Sequence, residues 1–132
     1  MKIISRQIKI RRLKKELDAL WSKAVRLRDG ACMVCGTKES LQAHHCIVRK
    51  AHGLGVRWLL SNGVTLCYRC HLCELHGLAD KDFLDKYLSI INDKISMDVQ
   101  EEIKGIAVKV HKFEVEDLEM LKQSFQRMIN DR

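Results

Sequence analysis

Between residues 6 and 28 apolar positions recur at steps of three and four. Leu13, Leu17, Leu20, Ala24 and Leu27 form one stripe, and Trp21 and Val25 widen it. That period is helical and predicts a helix over 6–28. Arg6, Lys9, Arg12, Lys15 and Lys23 fall largely off the stripe, and Asp29-Gly30 ends the helix in a turn. From 31 to 78 the long periods break up. Short strands are expected near Leu41–Cys46 and Gly63–Leu66, a loop across Val48–Leu59, and a short helix from about Cys70 to Leu75. Beyond 79 the helical stripes return. Phe83, Leu84, Tyr87, Leu88 and Ile91 make one, Val99, Ile103, Ile106 and Val110 a second, and Leu118, Leu121, Phe125 and Met128 a third. Asp80 fits the N-cap of the first of these helices. The β-branched stretch Gly105–Phe113 also admits a strand.

The pattern divides the chain into a basic N-terminal helix (1–30), a compact middle (31–78) and a helical C-terminal extension (79–132), an α+β protein. With 132 residues and 46% hydrophobic positions, a modest core is within reach. A short chain buries a smaller fraction of its surface than a large one, so a structural metal would help hold it. The formal net charge of +7 is unevenly spread. Residues 1–30 carry ten Lys/Arg against three Asp/Glu, 31–78 five against two, and 79–132 nine against twelve. A localised basic region attracts polyanions, nucleic acid above all, although a merely solvated Lys-rich helix face has the same composition.

All six cysteines and five of the six histidines lie in 31–78. Cys32-Met33-Val34-Cys35 and Cys67-Tyr68-Arg69-Cys70 are two C-x-x-C pairs. Each can turn two thiolates onto one ion, and together they complete a closed, tetrahedral four-cysteine zinc site, structural rather than catalytic. Redox C-x-x-C pairs and buried free thiols are the other uses of such spacing. Cys46 follows an apolar-alternating stretch and reads as a small core residue; Cys73 reads as core or as a neighbour of the metal.

Between and after the cysteine pairs stand Ala43-His44-His45-Cys46-Ile47, then Ser61-Asn62-Gly63-Val64-Thr65-Leu66, then His71 directly behind Cys70. Carried by CMVCG, AHHCI and SNGVTLCYRCH in that order, residues 32–76 resemble the HNH (ββα-metal) endonuclease family. The flanks resemble small phage or prophage proteins of the recombination-nuclease type, in which a basic helix precedes such a core.

The resemblance implies roles. His45 would be the general base that deprotonates the attacking water, as an imidazole with a pKa of about 6.5 can near neutral pH. His44 and His71 would hold a catalytic divalent metal, Mg²⁺ or Mn²⁺, with imidazole ligands also admitting Zn²⁺, Ni²⁺ or Co²⁺. Asn62 would hold the His45 loop through backbone hydrogen bonds. Successive strand residues face opposite sides, so the strand must end or bend at His44-His45 for both to reach one phosphate. His76 lies five residues beyond His71, the wrong step for a shared helix face. His52 can touch DNA, and His111 reads as solvated. The implied reaction is DNA phosphodiester hydrolysis to 5′-phosphate and 3′-hydroxyl ends, with branched recombination intermediates as candidate substrates.

Arg49, Lys50 and Arg57 sit in the loop between His45 and Asn62, where they could meet phosphates, and Arg11, Arg12 and Lys15 could follow the backbone along the first helix. Trp58 reads as core ahead of a base-stacking role. A two-fold junction would suit a homodimer, for which the apolar helices of 79–132 could serve, or they could close the chain's own core. The start MKIISRQIKIRRLKK has no uninterrupted apolar h-region, and no run approaches the roughly 20 apolar residues of a membrane span. The expectation is a cytoplasmic protein, in a bacterial host cell if phage-encoded. The rival readings are a non-catalytic zinc module that binds DNA or RNA, and a zinc-stapled interaction protein using the acidic C-terminal helices.

Overall fold

The computed structural model describes residues 2–48, 54–71, 80–109 and 112–131. The first helix, α1, runs Lys2–Asp29. It leads into a turn at 33–35 and then strand β1, Leu41–His45. A single helical turn, α2 (Leu54–Arg57), and a 3-10 turn (Leu60–Asn62) precede strand β2, Gly63–Cys67. Residues 68–71 turn into helix directly after β2. Three further helices follow: α3 (Lys81–Lys94), α4 (Met97–Ala107) and α5 (Val115–Asn130). The molecule therefore mixes helices with a small two-stranded sheet.

β1 and β2 pair antiparallel, with His44 opposite Val64 and His45 opposite Gly63. Directly paired residues share a face, so the sheet has two distinct sides. Val64 and Leu66 enter a core with Val56, Tyr87, Ile91, Ile95 and Ile103, which seats α3 and α4 on one side. Ala43 packs against a second core on the other side, built from Leu13, Leu17, Trp21, Ala24 and Val25 of α1, Trp58, and Leu118 and Phe125 of α5. The sheet is too small to carry a core alone; the helices supply most of the apolar surface.

α1 approaches β2 closely at Gly63. A Cβ there would lie 2.7 Å from both Trp21 Cζ2 and Val25 Cγ2. Gly63 has an ordinary extended backbone (φ −118°), so space and not conformation demands glycine. At the far end, Gly30 takes a left-handed φ of 75° and its amide donates to the Arg26 carbonyl, closing α1.

Asp29 stands at the C-terminus of α1, where the helix dipole disfavours an anion. Three donors compensate: Arg28, the Lys94 ammonium at 2.5 Å and the Thr65 amide at 2.8 Å. Arg28 also donates to the carbonyls of Leu60 (2.8 Å) and Gly63 (2.6 Å). The pair thus fastens α1 to β2 and to α3, with the Asp29 side chain only 1% exposed.

The helix expected over 6–28 is longer at its N-terminus, and both strands lie where the alternation places them. The loop expected across Val48–Leu59 contains α2. The strand alternative over Gly105–Phe113 is not adopted among the described residues: α4 runs to Ala107 and residues 112–114 are irregular. Part of the apolar stripes of 79–132 closes the chain's own cores, with Tyr87, Ile91, Ile103, Leu118 and Phe125 buried, while Leu84, Leu88 and Met128 stay exposed. Asp80 caps α3 by accepting the Phe83 amide at 2.8 Å. Among the described residues no helix is long and apolar enough to cross a membrane.

Burial raises the carboxyl pKa of Asp29, but hydrogen bonds from Arg28 and Lys94, the Arg28 charge and the Thr65 amide outweigh it and hold the group below its ordinary value. A depressed folded pKa stabilises the fold above the unfolded value of about 3.9, and that contribution is lost as pH falls through the folded value. Asp29→Asn is therefore expected to destabilise the protein at neutral pH, with the difference from wild type narrowing as pH is lowered beyond the ordinary carboxylate value of about 3.9. Urea unfolding at neutral and acid pH checks this; a gap independent of pH contradicts it.

Candidate metal centre and histidine site

The four thiols of Cys32, Cys35, Cys67 and Cys70 all lie within 4.8 Å of one another. Cys35 Sγ and Cys67 Sγ are 3.6 Å apart, near the roughly 3.8 Å that two thiolates 2.3 Å from a tetrahedral zinc would show. Each C-x-x-C turn folds back on its first sulfur: the Cys35 amide points at Cys32 Sγ (3.5 Å) and the Cys70 amide at Cys67 Sγ (3.4 Å). Gly36, at φ 79°, and the Cys32 amide bond to Thr37 complete the first knuckle. Burial raises the Cys32 thiol, but the amides of Cys35, Cys67 and Val34 more than offset this and bring it to about 7. Burial pushes Cys70 up. The cluster can hold a metal ion such as zinc, and it clamps the first knuckle to the end of β2 and the helical turn behind it. Burial drives Cys46 to about 11, which keeps it a thiol and fits its place against the core.

The histidines diverge from the end of β1. His45 turns toward α1 and stacks on Trp21, ring centroids 4.0 Å apart and planes 11° from parallel. Its Nε2 lies 2.8 Å from the Arg57 carbonyl. A carbonyl only accepts, so Nε2 carries the hydrogen and Nδ1 of the neutral ring carries the lone pair. Trp21 is itself anchored, donating from Nε1 to the Leu59 carbonyl at 2.8 Å.

His44 turns to the opposite side, toward Tyr87 and His71. His44 Nδ1 lies 3.1 Å from His71 Nε2. His71 Nδ1 is 2.6 Å from Gln42 Oε1, which sits two residues before His44 on the same strand face. With Oε1 accepting, Nδ1 of His71 carries the hydrogen and Nε2 presents its lone pair to His44. Two imidazole nitrogens about 2.1 Å from one ion and roughly at right angles lie about 3.0 Å apart. The observed 3.1 Å is that of an N–H···N hydrogen bond, and it also lies close to that ligand separation.

Asn62 is fully buried and uses its whole amide. Oδ1 accepts from the amides of Ile47 (2.9 Å) and Val48 (3.0 Å). Nδ2 donates to the carbonyls of Val48 (2.8 Å) and Val56 (3.4 Å). The Cys46 amide adds a bond to the Asn62 carbonyl at 2.9 Å. Strand β1 therefore ends at His45, and the chain bends at 47–48 under the grip of Asn62.

Arg57 is placed differently from the expected phosphate contact. Asp18 binds its guanidinium with two hydrogen bonds, 2.9 and 2.6 Å, and the same group lies over the Trp58 ring, 5.2 Å from the centroid. That fork is engaged inside the protein, and the Arg57 contribution to the site is its carbonyl on His45. Trp58 is buried, as the core reading expects, with Nε1 donating to Asp18 at 3.0 Å. Arg11, Arg12 and Lys15 are exposed on α1. Farther along α1, Arg6 and Lys9 pair with Glu114 and Glu119 around α5, and Lys122 with Glu16. The α5 acids thus neutralise part of the basic helix. Arg49, Lys50, His52, Cys73, His76 and His111 lie outside the described residues.

Comparison with family models, curated proteins and solved structures finds no match.

Trp21, Gln42, Asp18 and Tyr87 were not singled out by the sequence as site residues. Gln42 was within reach, because period two puts it on the face of His44. Tyr87, its hydroxyl pushed up by burial, walls the His44 side, with ring centroids 6.1 Å apart. Its helical stripe marks it only as core.

Cobalt substitution tests the four-thiol centre. The protein is expected to take up one tightly held ion with strong thiolate-to-cobalt charge-transfer absorption, and to lose thermal stability when the ion is stripped. Absence of thiolate bands, or a melting temperature unchanged after stripping, contradicts a metal-clamped fold.

Proposed function

We propose that the protein is a metal-dependent DNA endonuclease of the HNH type. The observation that carries this reading is the arrangement at the end of β1. There a fixed imidazole (His45) follows directly on His44, which pairs with His71 on the opposite side of the strand, and a buried asparagine holds the bend at 47–48 just beyond them; one phosphate would have to reach both sides round the strand's end.

In this reading His45 Nδ1 takes the proton of the attacking water while its Nε2–H stays on the Arg57 carbonyl. The imidazolium so formed lies against the Trp21 face, which favours a cation by its quadrupole. The water oxygen bonds to phosphorus, the bond from phosphorus to the 3′ oxygen breaks, and that oxygen is protonated from solvent. The ends are a 5′-phosphate and a 3′-hydroxyl. His44 and His71 would hold Mg²⁺ or Mn²⁺, which supplies charge stabilisation at the phosphate and the leaving oxygen. Zinc at the four thiols would have no part in the chemistry and would hold the hairpin to the following helix.

DNA would reach this site along α1. Arg11 and Lys15 are one turn apart, and Lys14 and Lys15 lie one turn before Asp18, so positive charge leads along the helix toward His45. Arg49 and Lys50 follow the bend at 47–48 in sequence and are further candidates for phosphate contacts. Four-way junctions and other branched intermediates are the substrates to try first.

Supercoiled plasmid and a synthetic four-way junction, incubated with Mg²⁺ or Mn²⁺, give the test. Wild type is expected to cut, and His45→Ala to lose at least about a hundredfold in rate while keeping DNA affinity. If the folded wild-type protein binds DNA but cuts neither substrate in any divalent metal, the zinc-dependent binding module is the correct reading.

A further inference from the structure

Asp18 is an acid in the middle of the most basic helix of the chain, and the chemistry proposed above does not use it. It faces away from the α5 acids, toward Arg57 and Trp58. Its Oδ1 accepts from Arg57 Nε at 2.9 Å and from Trp58 Nε1 at 3.0 Å, and its Oδ2 from an Arg57 terminal nitrogen at 2.6 Å. One carboxylate therefore grips two consecutive residues by three hydrogen bonds. Arg57 ends α2, and Trp58 leads toward the 3-10 turn that contains Asn62.

The carbonyl of Arg57 is the acceptor for His45 Nε2. A carbonyl at the end of a four-residue helical turn has little regular structure to hold it. Its position depends on what fixes the residue that bears it. The Arg57 side chain is clamped in a planar fork by Asp18 and laid over Trp58, which removes its rotational freedom. Trp58 is in turn buried against Phe113, ring centroids 5.8 Å apart.

From this geometry we infer that Asp18 is a positioning residue for His45, acting through Arg57 and Trp58 to hold a carbonyl that favours the Nε2–H form of the ring. Asp18 acts here by fixing the acceptor. The same α1 turn that carries Asp18 carries Trp21, three residues on, against the His45 face. One helix thus sets both the ring's plane and its tautomer. The kinetic consequence rests on the nuclease reading, but the tautomer does not.

The test uses full-length Asp18→Asn and Arg57→Lys, which retain side-chain size, with folding checked by amide spectra. Ring ¹⁵N shifts of His45 at neutral pH are expected to show one Nε2–H tautomer in wild type and a mixture of both in each variant. Cleavage by the variants is expected to lose roughly ten- to a hundredfold in kcat with KM held. A single Nε2–H tautomer retained in both folded variants overturns the inference. So does a rise in KM with kcat unchanged, which would make the pair a DNA contact. If wild type does not cleave DNA, the nuclease reading fails, and the ¹⁵N spectra still decide the role of Asp18. Should Asp18→Asn fail to fold, Arg57→Lys carries the same readout.

Discussion

The fold turns on the buried side chain of Asn62. The connection between the two strands runs from residue 46 to 62, far longer than a tight hairpin turn, so turn chemistry cannot set the strand register. Asn62 does so instead, with four backbone contacts from one amide, two accepted and two donated. A buried amide with all its capacity used is stabilising, whereas one left partly unpaired would be costly. These bonds stop β1 at His45 and bend the chain just beyond it; alternation along the strand sends the neighbouring histidines to opposite faces of the small sheet.

Each face has its own support. On the α1 side, Gly63 lets Trp21 and Val25 reach the strand, and Trp21 then becomes the platform for His45. On the α3 side, Gln42 orients His71 toward His44, and Tyr87 closes the wall. The thiol cluster ties the helical turn bearing His71 to the knuckle at 32–36. A metal held there would supply order, in a chain this small, that the apolar cores alone would otherwise have to provide. The Arg28–Asp29 latch adds a third tie, between the end of α1 and β2.

Much of this was legible in the sequence, for reasons that can be named. Helical stripes of α1, α3, α4 and α5 show plainly because each helix buries one face. The two C-x-x-C pairs show because sulfur geometry demands that spacing. The order of His44, His45, Asn62 and His71 marks a site because few folds require all four. Other features were hidden. Nothing local distinguishes Asp18 from a solvated helix acid, because its partners are Arg57 and Trp58, about forty residues away. Arg57 reads as a phosphate contact in a basic loop until that partner is known. Gly63 opens an expected strand, and nothing local says why it must be glycine; the approach of α1 is what requires it. An amphipathic stripe does not say what covers it; here α1 packs on α5, and the sheet's core takes the buried residues of α3 and α4.

A divalent-metal titration of the zinc-loaded protein tests the role of the histidine pair most directly. Calorimetry with Mn²⁺, beside His44→Ala and His71→Ala, is predicted to show a second, weaker site in wild type that vanishes in both variants while the zinc content is unchanged. If wild type binds no metal beyond zinc, or if Mn²⁺ binding survives both substitutions, His44 and His71 only share a proton across their 3.1 Å contact, and the metal-dependent nuclease reading falls.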